Sequence, residues 1–214
     1  MEQFIEIPRQ ARIITQGEFS SRTERIWIIL HGYGQLVKFF IRKFQGLDPA
    51  TDVVIMPEGT HRYYLHGQEG RVGASWMTKE VREKDIEDNH RYLDIIHEHF
   101  IPKDFQGHIA VLGFSQGAAT ATRWAAETEK KVDRLILWAS VFPPDLKIPE
   151  RLERINSLRP ILLIGDQDQY YSQDLWINAM TPWRQAGIDF EELQYSGGHQ
   201  VEAPVLDELR TRLS

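Results

Sequence analysis

The chain has 214 residues, 42% hydrophobic and 26% charged, with a net charge of -6. Such a length and balance suit one globular domain over 1–214, and the acidic surplus argues against a nucleic-acid partner, whose phosphates need a basic face. Cysteine is missing altogether, which excludes disulfides, thiolate catalysis, iron–sulfur clusters and Cys-ligated zinc.

The opening stretch, MEQFIEIPRQARIITQGEF, has acids and arginines early and lacks the apolar run of a signal peptide. No segment reaches the roughly 20 apolar residues of a membrane span, so a cytoplasmic location is expected. The first apolar run is RIWIIL (25–30), which leads into HGYG, and the second is DVVIMP (52–57). A long connection over 57–85 follows, then a helical pattern over 81–100 with Ile86, Leu93 and Ile96 near one face. HIAVLGF (108–114) precedes an alanine-rich helix over 116–129, and RLILWAS (134–140) precedes a second long connection over 141–159. PILLIGD (160–166), a helix over 174–186, the mixed strand DFEELQY (189–195) and a helix over 203–213 complete the order. Strands that are apolar on consecutive residues are covered on both faces, as in a parallel sheet, whereas the mixed strand suits an edge. Strand and helix in alternation predict an α/β fold, a mostly parallel doubly wound sheet with helices on both faces. Ligands of such sheets bind at the strand C-terminal ends.

GFSQG (113–117) stands between a predicted strand and a predicted helix. In that context G-x-S-x-G describes a tight turn that projects Ser115 above the sheet as a nucleophile. The competing reading is a serine that caps the helix. A serine nucleophile needs a base, and the chain order Ser, acid, His is the one expected on this fold. Downstream of Ser115 the one histidine is His199, in YSGGHQVEAP. Between them GDQDQYY offers Asp166 and Asp168, and the turn position favours Asp168 as the acid that orients the imidazole. His31-Gly32-Tyr33-Gly34 at the end of an early strand supplies one backbone donor for an oxyanion, the Tyr33 N–H. The other is the N–H of Gln116, whose amide side chain is given no part. Tyr63, Tyr64, Trp76, Val141 and Phe142, in loops expected at the strand ends, are the candidate substrate-binding residues.

Metal chemistry has no comparable support. His97-Glu98-His99 sets its histidines on different faces of a helix, and neither H-E-x-x-H nor a phosphate-binding glycine loop occurs. No metal and no cofactor are expected.

The stretches LHGYG (30–34), GASW (73–76), GFSQGAA (113–119), GDQDQYY (165–171) and GGHQV (197–201) together resemble the phospholipase/carboxylesterase family. This is the small serine-esterase branch of the α/β-hydrolase superfamily, which includes acyl-protein thioesterases. The resemblance implies an α/β-hydrolase fold with a minimal lid, a Ser115–Asp168–His199 triad and backbone donors at Tyr33 and Gln116. It implies a carboxylesterase acting on small-molecule esters through an acyl-enzyme. Thioester, lysophospholipid and amide cleavage stay open at this stage, as does ligand binding on a hydrolase scaffold without turnover. Oligomeric state is open too. Two departures mark the chain: Tyr33 stands where many members have leucine, and Ala118 where thioesterases often have a second glycine.

Overall fold

The computed structural model describes residues 1–146 and 150–213. Its strands in chain order are β1 (Ile13–Gln16), β2 (Arg25–Leu30), β3 (Asp52–Pro57), β4 (His61–His66), β5 (Glu69–Ser75), β6 (His108–Phe114), β7 (Arg134–Trp138), β8 (Ile161–Gly165) and β9 (Glu191–Tyr195). The helices are α1 (Val37–Phe40), α2 (Arg82–Phe100), α3 (Gln116–Glu127), α4 (Leu152–Ser157), α5 (Gln173–Gln185) and α6 (Ala203–Arg212). Seven strands form one sheet in the order β1-β3-β2-β6-β7-β8-β9. All pair in parallel except β1, which runs antiparallel to β3.

Side chains alternate across the sheet, so consecutive apolar residues feed two cores. From β2, Ile26, Ile28 and Leu30 join one cluster, where Leu93 of α2, Ala121 and Trp124 of α3 and Trp176 of α5 also pack. Trp27 and Ile29 point the other way and meet Val37 and Phe40 of α1 and Leu206 and Leu209 of α6. Every residue of β2 and β3 is buried, which is the physical reason these runs are apolar beyond their first residues, Arg25 and Asp52, which pair with each other at 2.7 Å. The expected edge strand lies at the edge as β9, with an exposed start and Tyr195 buried at its end.

Three features differ from the sequence reading. The connection over 57–85 holds an antiparallel hairpin, β4 with β5, whose polar residues lack the alternation of a half-buried strand. β1 and the short α1 lie in stretches that carry no periodic signal. In the second connection α4 fills part of 141–159, and residues 147–149 of that span lie outside the described residues. No helix among the described residues is long and apolar enough to cross a membrane.

Candidate active site

β6 ends at Phe114 and α3 starts at Gln116, so a single residue, Ser115, makes the turn. Its backbone sits at φ 52°, ψ −118°, a region that L-residues occupy at a cost of about 1–3 kcal/mol. Neighbouring bonds hold it there: the Ser115 N–H donates to Trp138 O at 2.9 Å. The flanking glycines allow the approach. A Cβ on Gly113 would stand 2.3 Å from Ala118 Cα, and one on Gly117 would stand 2.4 Å from Leu30 O. Although Ser115 occupies the N-cap position, its side chain accepts no capping bond. Its Oγ instead lies 3.0 Å from His199 Nε2.

His199 arrives on the loop after β9, and its Nδ1 lies 2.8 Å from Asp168 Oδ2. A carboxylate can only accept, so Nδ1 carries the proton and Nε2 turns a lone pair to the serine hydroxyl. The Asp168 side chain is fully buried, and its second oxygen accepts from the Tyr170 N–H at 2.8 Å. The imidazole is packed between Phe114, 5.1 Å between ring centroids, and Tyr170, 4.6 Å and edge-on. Asp166 has a different place: it accepts from the Gly197 N–H at 2.9 Å and pins the loop that carries His199.

After β2, Gly32 to Gln35 form a turn closed twice. The Gln35 N–H donates to Gly32 O at 3.2 Å, and the Gly32 N–H donates to the Gln35 side-chain Oε1 at 2.8 Å. Gly34, third in the turn, takes φ +75°, the glycine position of a type II turn. His31 fastens the base of this loop. Its Nε2 accepts from the Gly59 N–H at 2.9 Å, which leaves Nδ1–H to donate to Gly32 O at 2.8 Å. Burial pushes the His31 imidazole below its ordinary pKa, in keeping with a neutral ring that needs one bare nitrogen. Among the described residues, neither the Tyr33 N–H nor the Gln116 N–H has an acceptor. Gln116 opens α3, so its N–H is one of the four that a helix leaves unpaired and lies at the positive end of the helix dipole.

A cavity of about 510 Å³ opens over Ser115 and His199. Gly32, Tyr33 and Gln35 line one side, and Tyr170 and Tyr171 line another. No carboxylate, lysine or arginine of the described residues lines it. Burial pushes the Tyr171 phenol above its ordinary pKa, so that hydroxyl stays neutral.

The five candidate substrate-binding residues stand outside this lining. Trp76 is fully buried, because its one polar atom, Nε1, donates to His31 O at 2.8 Å. Phe142 is buried against Trp183 and Phe190, and the half-buried Val141 packs on the same core. Tyr64 points to solvent from the hairpin. Tyr63 sets its ring 5.3 Å from that of Tyr33, which lines the cavity. In their place Tyr170 stands edge-on to the imidazole and Tyr171 lines the cavity, and only their position just beyond Asp168, after Gln169, could have pointed to them. The Gln116 amide has a part that sequence reasoning missed. Its Oε1 accepts from the Trp76 N–H at 3.1 Å, and its Nε2 donates to Met77 O and Ser75 Oγ, both at 3.0 Å. The turn at Ser115 is thereby clamped to the end of β5.

Comparison with known proteins agrees with this architecture. Among solved structures, acyl-protein thioesterase 2 of Zea mays superposes with a TM-score of 0.73 at 18% identity, over 95% of this chain and 98% of that one. The esterase PE8 gives 0.70 at 20% identity, over 96% and 98%, and the Bacillus cereus carboxylesterase 0.67 at 15%, over 95% and 93%. At these identities the likeness shows the fold, that of the α/β-hydrolases. No curated protein matches by sequence. The family model described as phospholipase/carboxylesterase matches residues 12–214, and the chain therefore belongs to the phospholipase/carboxylesterase family of esterase- and thioesterase-type α/β-hydrolases.

Proposed function

We propose that the protein is a serine carboxylesterase, a single-domain and cytoplasmic enzyme, that cleaves small-molecule esters through Ser115, His199 and Asp168. The observation that carries this reading is the unbroken chain from Asp168 Oδ2 to His199 Nδ1 at 2.8 Å and from His199 Nε2 to Ser115 Oγ at 3.0 Å, open to the cavity. His199 takes the hydroxyl proton as Oγ attacks the ester carbonyl carbon, and the carbonyl oxygen gains the negative charge. The N–H groups of Tyr33 and Gln116 bind that oxygen, each donor contributing on the order of 10²–10³ in rate. When the tetrahedral adduct collapses, the bond to the alkoxy group breaks and His199 delivers its proton to the leaving alcohol. Water, deprotonated by the same nitrogen, then attacks the acyl-enzyme and releases the acid. Asp168 keeps its charge throughout and stabilises the imidazolium.

The test is hydrolysis of 4-nitrophenyl butyrate together with labelling by a fluorophosphonate. Wild type is expected to turn over the ester and to carry the label on Ser115. Ser115→Ala should lose both. Turnover that survives Ser115→Ala would refute the assignment. Thioester cleavage is the second reading, supported by the likeness to the maize thioesterase; matched oxygen and sulfur esters of butyrate separate the two.

A further inference from the structure

We infer that Gln35 is a substrate-binding residue, a side-chain donor that selects uncharged esters with an acceptor oxygen near the reacting carbonyl on the acyl side. The inference rests on the serine-hydrolase reading and adds the substrate class. A backbone N–H can only be met by an oxygen, so the bond from Gly32 N–H at 2.8 Å fixes which end of the Gln35 amide is Oε1. With Oε1 engaged, the NH2 group is what the side chain can still offer, and among the described residues it has no protein partner. Gln35 lines the cavity two residues beyond the Tyr33 N–H.

Topology assigns it to one side of the substrate. Ser115 follows β6; the loop with Gln35 follows β2, the neighbour of β6 on one side. His199 follows β9, three strands away on the other side. The leaving oxygen must face His199, which protonates it, and the carbonyl oxygen must face the backbone donors. The acyl group is left to extend on the side of Gln35. Its surroundings match an oxygenated and neutral group: Tyr33 brings a phenol to the same side, and no carboxylate, lysine or arginine of the described residues lines the cavity. A long alkyl chain would leave the Gln35 donors desolvated and unpaired, which binding sites penalise heavily.

The experiment compares 4-nitrophenyl methoxyacetate with 4-nitrophenyl butyrate, which differ by one ether oxygen in place of a methylene. Each kcat/KM is corrected for the ester's own rate of alkaline hydrolysis. Wild type should favour the methoxyacetate by about tenfold, the worth of one added hydrogen bond. Gln35→Glu keeps an oxygen for the Gly32 N–H but has no NH2, and the corrected preference should fall to about one or below. Because the two esters share any damage to the loop, their ratio isolates the lost donor. Equal corrected rates in wild type, or an undiminished preference in Gln35→Glu, would overturn the role of Gln35 and leave the triad untouched. Wild type inactive on both esters, or Ser115→Ala active on both, would refute the hydrolase reading and this inference with it.

Discussion

Gln116 would serve the proposed chemistry and the scaffold through different atoms. Its N–H faces the site, while its amide ties the turn to Ser75, Trp76 and Met77. Gln116→Ala keeps the backbone donor and strands the Trp76 N–H, while Met77 O keeps only the Ser75 hydroxyl. Leaving buried polar groups without partners costs about 1–3 kcal/mol, so the urea midpoint should fall accordingly; a midpoint equal to wild type would contradict the clamp. The triad candidates were legible in the sequence because the fold prescribes their order along the chain. Gln116 and Gln35 were not, since an amide's partners depend on how distant strands are set side by side. The same reason sets the aromatic candidates outside the cavity lining. Whether Trp76 faces a cavity or His31 O is decided by where β5 docks, and residue type carries no trace of it.

At the level of elements, the β4–β5 hairpin supports the loop over Gly32 to Gln35, the proposed oxyanion loop. The Gly34 N–H donates to Ala74 O at 2.8 Å, and the Ala74 N–H donates to Gln35 O at 3.3 Å. Gly73 lies flush against that loop: a Cβ there would stand 2.6 Å from Gly34 O and 2.7 Å from Gly34 Cα. Gly73→Ala must therefore displace the backbone that carries the Tyr33 N–H. A lowered kcat is expected, by about tenfold or more given the worth of one oxyanion donor, in protein whose circular dichroism shows it folded. An unaltered kcat would separate the hairpin from the site. The buried strands were legible as unbroken apolar runs, because both faces of the sheet are covered. The hairpin was not: its partly exposed residues, HRYYLH and EGRVGAS, show no apolar alternation, and its pairing is fixed by contact with the loop rather than by its own composition.

Across the whole molecule, three histidines couple stability to pH. Burial is the main cause that holds His31, His90 and His97 below the ordinary imidazole pKa. With the folded pKa depressed, the unfolded chain binds protons first as pH falls below about 6.5. Stability is then full above that value and declines below it, by at most about 1.4 kcal/mol per pH unit for each such group. The carboxylates with shifted values, Asp52 and Asp145, are lowered and so act at more acid pH. Urea midpoints at pH 7.5 and 5.5 should differ, the lower pH giving the weaker protein, and identical midpoints would contradict the linkage.

β9 is bonded to the sheet on one side alone, and its first two residues are exposed. The loop beyond it is fastened through Tyr195, whose hydroxyl accepts from Trp138 Nε1 at 2.9 Å and donates to Gln200 O at 2.9 Å. His199 thus depends on the part of the sheet with fewest neighbours, while Ser115 sits at its centre. Fraying of an edge requires less free energy than global unfolding. In rising urea, ester hydrolysis should vanish before the far-ultraviolet circular dichroism changes, as the terminal strand peels away and takes His199, the proposed base, out of reach of Ser115. Coincident loss of both signals would mean that the edge opens only with the whole.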